Sequence, residues 1–325
     1  MMILRSGLLL AALTLAMISF AGTAADQKFP SKSIRFIVGF APGGGNDLLA
    51  RTVGQKVSEQ VGQTVIVDNR PGAGGNLGAE LASRALPDGY TILMISSSHP
   101  IQGLLKSGLK YDPMADFTPL ALLATYSYLV VTPPSLEART VKELIALAKS
   151  RPAQFNFVSA GNGSGSHLAG ELFRIATGTE LSHVAYKGTA QAITDLVGGR
   201  VQLMFSPMPA VIAQVKAGRL RVLAVTGSKR TPLMPEVPTV AESGVANFQV
   251  SPWYGVMGPA RMPPVVSAAL NRQFSEALKA PEVKDRLSSE GAEPAPTSRE
   301  EFVRLVRAEY DKWNKVIKQT GIRAD

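Results

Sequence analysis

The amino-acid sequence predicts an α/β fold in two similar lobes with a cleft between them. Three observations lead there. The chain runs twice through apolar strands that alternate with amphipathic helices. At least three of the strand-to-helix joints are crowded with Gly, Ser and Asn. The chain has 325 residues, and what remains after a leader suits two domains of ordinary size, each with its own core.

The leader is read first. Met1 to Arg5, an apolar run from Leu8 to Phe20 and small residues through Ala25 have the three-part build of a secretory signal peptide, residues 1–25, with the mature chain starting at Asp26. The apolar run is shorter than the roughly 20 residues a spanning helix needs. There is no cysteine, which excludes disulfides and a lipid-bearing thiol. The net charge is +9, or +8 without Arg5. Such a surplus suits small acidic ligands, an anionic surface or plain solubility. The basic residues are scattered singly and not interleaved with aromatics, so nucleic acid ranks last among the partners such a charge could serve, and none is expected.

In the first block, Ser33 to Gly39, Thr64 to Asp68 and Tyr90 to Ile95 read as strands of a parallel sheet. Helices fit Asp47 to Gln60 and Asn76 to Ala85, whose apolar residues recur at three- and four-residue steps. A second block opens with the strand Tyr128 to Thr132 and a capping box, Thr140-Val141-Lys142-Glu143. It continues with strands at Gln154 to Ser159, Val201 to Phe205 and Leu220 to Thr226, and helices at Leu168 to Ala176, Ala190 to Val197 and Ala210 to Val215. A strand at Val250 to Met257 and helices at Pro264 to Leu278, Pro281 to Leu287 and Ser298 to Gln319 complete the chain; the last opens with the capping box Ser298-Arg299-Glu300-Glu301.

Catalytic motifs are missing. Three histidines, His99, His167 and His183, stand without a zinc signature, and the chain lacks a G-x-S-x-G elbow, a phosphate loop and a complete G-x-G-x-x-G fingerprint. What remains is the joints. Ala41-Pro42-Gly43-Gly44-Gly45-Asn46-Asp47 follows a strand and opens a helix, so converging main-chain N–H groups and a positive dipole end suit a carboxylate or phosphate. Asn69 to Asn76 and Ser159 to His167 repeat the pattern. Asp47 either orders a ligand or water or caps its helix. Arg70 either pairs with a carboxylate ligand or makes a pair within its own domain. His167 reads as a helix-start or core residue, and Ser96, Ser97 and Ser98 as cleft-facing or as a capped loop. Tyr186-Lys187-Gly188-Thr189 precedes another helix, and Trp253-Tyr254 reads as buried packing or as a cleft wall.

Taken with Phe29-Pro30-Ser31-Lys32-Ser33-Ile34, Phe40-Ala41-Pro42-Gly43-Gly44-Gly45-Asn46-Asp47, Asp68-Asn69-Arg70-Pro71-Gly72-Ala73-Gly74-Gly75, Pro87-Asp88-Gly89-Tyr90-Thr91, Tyr111-Asp112-Pro113, His167 to Phe173 and Tyr186-Lys187-Gly188, the chain resembles the Bug family, the periplasmic substrate-binding proteins of tripartite tricarboxylate transporters, from Phe29 nearly to its end. The resemblance implies a two-lobed periplasmic-binding-protein fold, type II-like, with the ligand cleft between lobes of residues 27–127 plus 250–325 and 128–249. It implies a monomer in the periplasm, without cofactor or metal. It implies capture of a small carboxylate and delivery to membrane permease subunits; a sensing partner of a membrane receptor and an exported enzyme acting on an organic acid are the alternatives. Carried onto this chain, the ligand contacts are Pro42, Gly43, Gly44, Asp47, Ser159, Gly163, Ser164 and Gly165, with Tyr186, Gly188 and Ser206; Ser96 is added from its place after a strand. Gly39 and Ala185 stand where the family commonly has proline, which implies altered loop mobility there.

Overall fold

The computed structural model describes residues 29–323, so the expected signal peptide lies outside the described residues. The chain divides into two units, Met1–Ser31 and Lys32–Asp325. Of the first, Phe29–Ser31 are described and carry no helix or strand; the second holds every element below.

Strand β1 (Ile34–Val38) is followed by helix α1 (Gly45–Val61), β2 (Val65–Asn69), a 3-10 turn (Ala73–Gly75), α2 (Asn76–Ser83), β3 (Thr91–Ser96), the short α3 (Gln102–Leu105) and β4 (Phe117–Tyr126). Next come β5 (Tyr128–Thr132), α4 (Val141–Ser150), β6 (Phe155–Ser159), α5 (Gly165–Thr177), β7 (Leu181–Ala185), α6 (Thr189–Val197), β8 (Leu203–Pro207), α7 (Met208–Lys216) and β9 (Arg221–Val225). The chain ends with β10 (Trp253–Pro259), α8 (Pro264–Lys279), α9 (Pro281–Ser289), β11 (Ala292–Pro294) and α10 (Arg299–Thr320). β1 is apolar almost throughout because α1 and α2 both pack on it, leaving only Arg35 part-exposed.

Two sheets result, in the orders β11-β4-β10-β3-β1-β2 and β7-β6-β8-β5-β9. Strands β2, β1, β3, β10 and β4 are repeated as β7, β6, β8, β5 and β9 with the same relative directions: three parallel, then two antiparallel steps. The expected parallel sheet is therefore correct only for its first three strands. β10 arrives from the other block and enters antiparallel to β3. Strands β4, β7 and β11 and helix α3 go beyond the sequence reading. β7 is an edge strand with only Leu181 fully buried, so it shows no apolar run, and β11 has three residues.

The two crossings between sheets lie side by side. Thr226, after β9, donates its hydroxyl to the Val250 carbonyl (2.8 Å) and accepts from the Tyr128 N–H (3.1 Å), while the Tyr126 N–H donates to the Pro252 carbonyl (3.1 Å). Each sheet has its own core, one around Ile37, Leu93, Trp253 and Phe302, the other around Val131, Leu196, Met204 and Val225. A smaller cluster packs Leu168 of α5 with Ile101, Leu105, Trp313 and Ile322. At the helix starts, Ser298 and Glu301 form the complete capping box. Thr140 accepts from the Glu143 N–H, but the Glu143 carboxylate reaches the Arg139 N–H (2.7 Å) instead of closing the box.

Helix α5 lies against β6 through Gly170, where a Cβ would overlap the buried ring of Phe157. Gly170→Val is expected to cost about 3 kcal/mol of stability in urea unfolding; an unchanged midpoint would show that the helix has room to shift.

Candidate functional site

Four turns, those after β1, β2, β6 and β7, meet in pairs. In the pair made by the turns after β1 and β7, a Cβ added at Gly188 would lie 3.0 Å from the Ala41 Cβ and 3.1 Å from its nitrogen, and one at Gly44 would lie 3.5 Å from the Thr189 Cβ. In the other pair, a Cβ at Gly74 would overlap the Asn162 carbonyl, and one at Gly161 would lie 3.2 Å from the Gly74 nitrogen. Both pairs bring main chain against main chain. The matched positions also start two helices with glycine, α1 at Gly45 and α5 at Gly165. A Cβ at Gly45 would overlap the Tyr254 hydroxyl, and one at Gly165 the Tyr128 hydroxyl. Two helix N-termini, each beneath a tyrosine, offer unpaired N–H groups and positive dipole ends suited to an anion.

The first turn is shaped by Asp47. Its carboxylate, 2% exposed, accepts from the Gly43 N–H (2.9 Å), from Asn69 Nδ2 (2.9 Å) and from Arg51 through Nε (3.0 Å) and a second nitrogen (2.9 Å). Burial pushes this carboxyl up, but the hydrogen bonds from Arg51, Gly43 and Asn69 and the Arg51 charge outweigh it and hold the pKa below the usual range. Asp47 is thus occupied in holding its own turn, and it draws the Gly43 N–H inward; the helix cap is Gly44, which has no side-chain cap bond. Pro42 and Gly43 are exposed and Gly44 is buried. Arg70 pairs with Asp68 (3.0 Å), the domestic arrangement.

The turn after β6 is held by hydroxyls and imidazoles. Ser159, fully buried, shares a hydrogen with His183 Nε2 (2.6 Å) and accepts from the Gly161 N–H (3.1 Å). The Gly163 N–H donates to His167 Nδ1 (3.1 Å), and Ser164 caps α5 by accepting from the His167 N–H. The two rings stack with centroids 4.0 Å apart. Tyr186 donates its hydroxyl to Asp195 (2.6 Å), and burial with that bond pushes its phenol up to about 12. Ser96 shares a hydrogen with Ser98 (3.0 Å) at the end of β3, and Ser206 is buried in β8. Trp253 and Tyr254 are buried, as packing required.

The structure therefore gathers Gly44, Gly163, Ser164, Gly165 and Gly188 at the meeting turns, while Asp47, Ser159 and Tyr186 spend their polar groups on support. Gln102 and Tyr128 join the site unannounced, while Tyr254 takes the cleft-facing place that was one of its two sequence readings and Asn76 closes the second joint. The two tyrosines had a faint signal, since each stands at or next to the start of a strand that leaves a crossing. A small recess of about 20 Å³, room for one water molecule, lies behind the first two turns between Phe40, Asn76, Ser96, Ser98, His99 and Gln102. A surface groove of about 810 Å³ lined by Pro100, Gly103, Lys106, Arg307 and Tyr310 includes none of the four turns.

Burial lowers all three histidines to about 4, with His167 and His183 also facing one another and His167 facing Lys106 and Arg174. Their folded pKa values lie below the unfolded one, so the unfolded chain takes up protons that the folded chain refuses as pH falls from about 6.5 toward 4. Stability measured by urea unfolding is expected to be level near pH 7 and to drop through that window by a few kcal/mol, with a smaller drop in His183→Gln. The lowered Asp47 acts separately, losing its contribution only below about pH 4. A stability that stays level from pH 7 to 5 would contradict the buried neutral stack.

Comparison with known proteins identifies the family and the fold. Residues 49–322 match the family described as tripartite tricarboxylate transporter family receptor. Protein BugT of Bordetella pertussis is 36% identical over 311 residues, covering 94% of this chain and 95% of BugT. The structure of periplasmic binding protein BugD is 31% identical with a TM-score of 0.88, covering 91% of this chain and 99% of that one. An R. palustris protein, Rpa4515, solved with adipate, is 35% identical with a TM-score of 0.88 over 91% of this chain and 99% of its own. The fold is the two-lobed α/β fold of periplasmic binding proteins, and the chain belongs to the tripartite tricarboxylate transporter receptor family, the Bug proteins.

Proposed function

We propose that this chain is an exported solute-binding protein that captures a small carboxylate by closing two lobes around it and delivers it to the membrane subunits of a tripartite tricarboxylate transporter. The observation that carries the reading is the pairwise meeting of four turns around two glycine-started helix N-termini. The adipate bound by the R. palustris relative supports a carboxylate as the guest. Arg51 is engaged with Asp47, Arg70 with Asp68, and Lys106 donates to the Ala73 carbonyl (3.1 Å), while Lys187 is exposed in the turn after β7; with three cations engaged, main-chain donors are favoured as the main grip. The lobes are residues 27–127 with 250–325, and 128–249; residues 1–25 direct export to the periplasm. Gly44, Ser164 and Gly165 contact the ligand. Pro42, Gly43, Ser96, Gly163, Gly188 and Ser206 line the cleft, and Asp47, Ser159 and Tyr186 stand behind as supports. No bond is made or broken. A ligand that touches donors on both lobes has more contacts in the closed state, and that difference is what shifts the balance.

Two outcomes test the reading. In a thermal-shift screen of the mature protein against mono-, di- and tricarboxylates, one group of acids is expected to raise the melting temperature, because a ligand of the folded state alone must do so. No shift with any acid, and no acid released from the denatured protein in mass spectrometry, would overturn it. Gly188→Ala places a methyl against Ala41 only when the turns meet. It is expected to weaken binding of the acid found in that screen by roughly ten-fold or more while leaving the ligand-free melting temperature little changed; titration calorimetry reads the first and calorimetric scanning the second.

A further inference from the structure

We infer that Gln102 is a closing latch, a positioning residue that ties the two halves together through protein groups alone; the inference rests on the lobe closure proposed above. Gln102 stands on α3 in the half built on the first sheet and is 2% exposed. Its Nε2 donates to the Gly163 carbonyl in the other half (2.7 Å) and to its own neighbour, the Ser98 carbonyl (3.1 Å). Its Oε1 accepts from Asn76 Nδ2 (3.0 Å), and Asn76 Oδ1 accepts from the Tyr111 hydroxyl (2.6 Å).

The chain Tyr111, Asn76, Gln102 is thus anchored on one side before it reaches across. Its target is equally fixed. Gly163 has φ +76°, its N–H is held by His167, and a Cβ there would lie 2.8 Å from Gln102 Oε1, so only glycine lets the amide approach. Ile101, the next residue, packs with Leu168 of α5, so an apolar seam runs beside the polar bond. The matching contact on the other side, Ala41 against Gly188, has no such bond in its geometry: it is a methyl against a main chain.

Each bond in this network is made between protein groups. On opening, Gln102 and the Gly163 carbonyl return to water, so the bond exchanges one partner for another and its net worth is that of an ordinary buried hydrogen bond. That shifts the closed-to-open ratio by about five-fold. A ligand then has less of the closing to accomplish by its own contacts, and it leaves more slowly once the latch is made.

The absence of cysteine makes the test clean. Cysteines placed at the exposed Gln55 of α1 and Gln191 of α6 carry spin labels, and pulsed EPR reads the distance distribution with and without adipate. In Gln102→Met, which keeps the shape and removes the donor and acceptor, the ligand-free closed-to-open ratio is expected to fall about five-fold, and the adipate off-rate to rise by a similar factor with an unchanged on-rate. Tyr111→Phe, which loosens Asn76, moves both in the same direction by less and serves where the methionine variant does not fold. Identical distance distributions in wild type and variant would overturn the latch, as would a slower on-rate with an unchanged off-rate. If no acid of the panel moves the wild-type distance yet Gln102→Met still opens the ligand-free protein, the latch stands and the carboxylate reading falls.

Discussion

The approach of main chain to main chain across the cleft is the constraint on which the site depends. At Gly74 against Asn162 a single methyl would overlap the main chain of the other half, and at Gly188 one would press on Ala41. Inside the first half the same rule operates, because a Cβ at Gly39 would lie 2.7 Å from the Gly75 carbonyl and one at Gly78 would lie 2.8 Å from the Gly39 Cα. Within each half the start of a helix already lies under a tyrosine, α1 under Tyr254 and α5 under Tyr128, and the nesting of the turns brings the two starts to one cleft. Glycine loses more conformational freedom on folding than any other residue, so such turns need pinning from behind.

That pinning explains why the conspicuous side chains are supports. Asp47 accepts four hydrogen bonds from Gly43, Asn69 and Arg51, which fixes the first turn and cancels its own charge beside an anion site. Ser159 fixes the turn after β6 through Gly161 and His183, with no net charge at all. In the binding site proposed above, what faces a guest is left mainly to main-chain donors. A grip of that kind selects for a negative end group and a length that fits the closed cleft, and it leaves little of the ligand's identity in side chains.

The glycine joints, the paired α/β blocks and the Thr140 and Ser298 caps were legible because each is a local pattern: strand, turn residues, then a residue whose hydroxyl meets a helix start within three positions. The antiparallel entry of β10 was not, since direction within a sheet depends on a return from 28 residues away, between β9 and β10, and not on the strand's own residues. Gln102 was out of reach for a related reason. It lies in a four-residue helix, and the carbonyl it seeks is 61 residues on. The role of Asp47 was half legible: an acid in a first turn suggests a cap, but its use as an anchor for Gly43 requires knowing that Asn69 and Arg51 converge on it.

The two halves repeat each other in topology and differ in chemistry, and the difference falls where closure is controlled. Behind the first turn sits a paired charge; behind the turn after β6 sits a stack of two neutral rings 4.0 Å apart. Burial and mutual proximity keep those rings uncharged at neutral pH, so they contribute hydrogen-bond geometry to Ser159 and Gly163 and no attraction for an anion. The same Gly163 whose N–H is fixed by His167 offers its carbonyl to Gln102. Any change in the ring stack must therefore reach the latch through one residue with a left-handed φ and no side chain to yield. In the opposite pair of turns, Gly188 meets Ala41 by shape alone. The fold thus closes with one edge held by directed bonds and the other by contact, and the edge held by bonds is the one whose support gains charge on protonation, whereas protonation of Asp47 behind the other edge removes one.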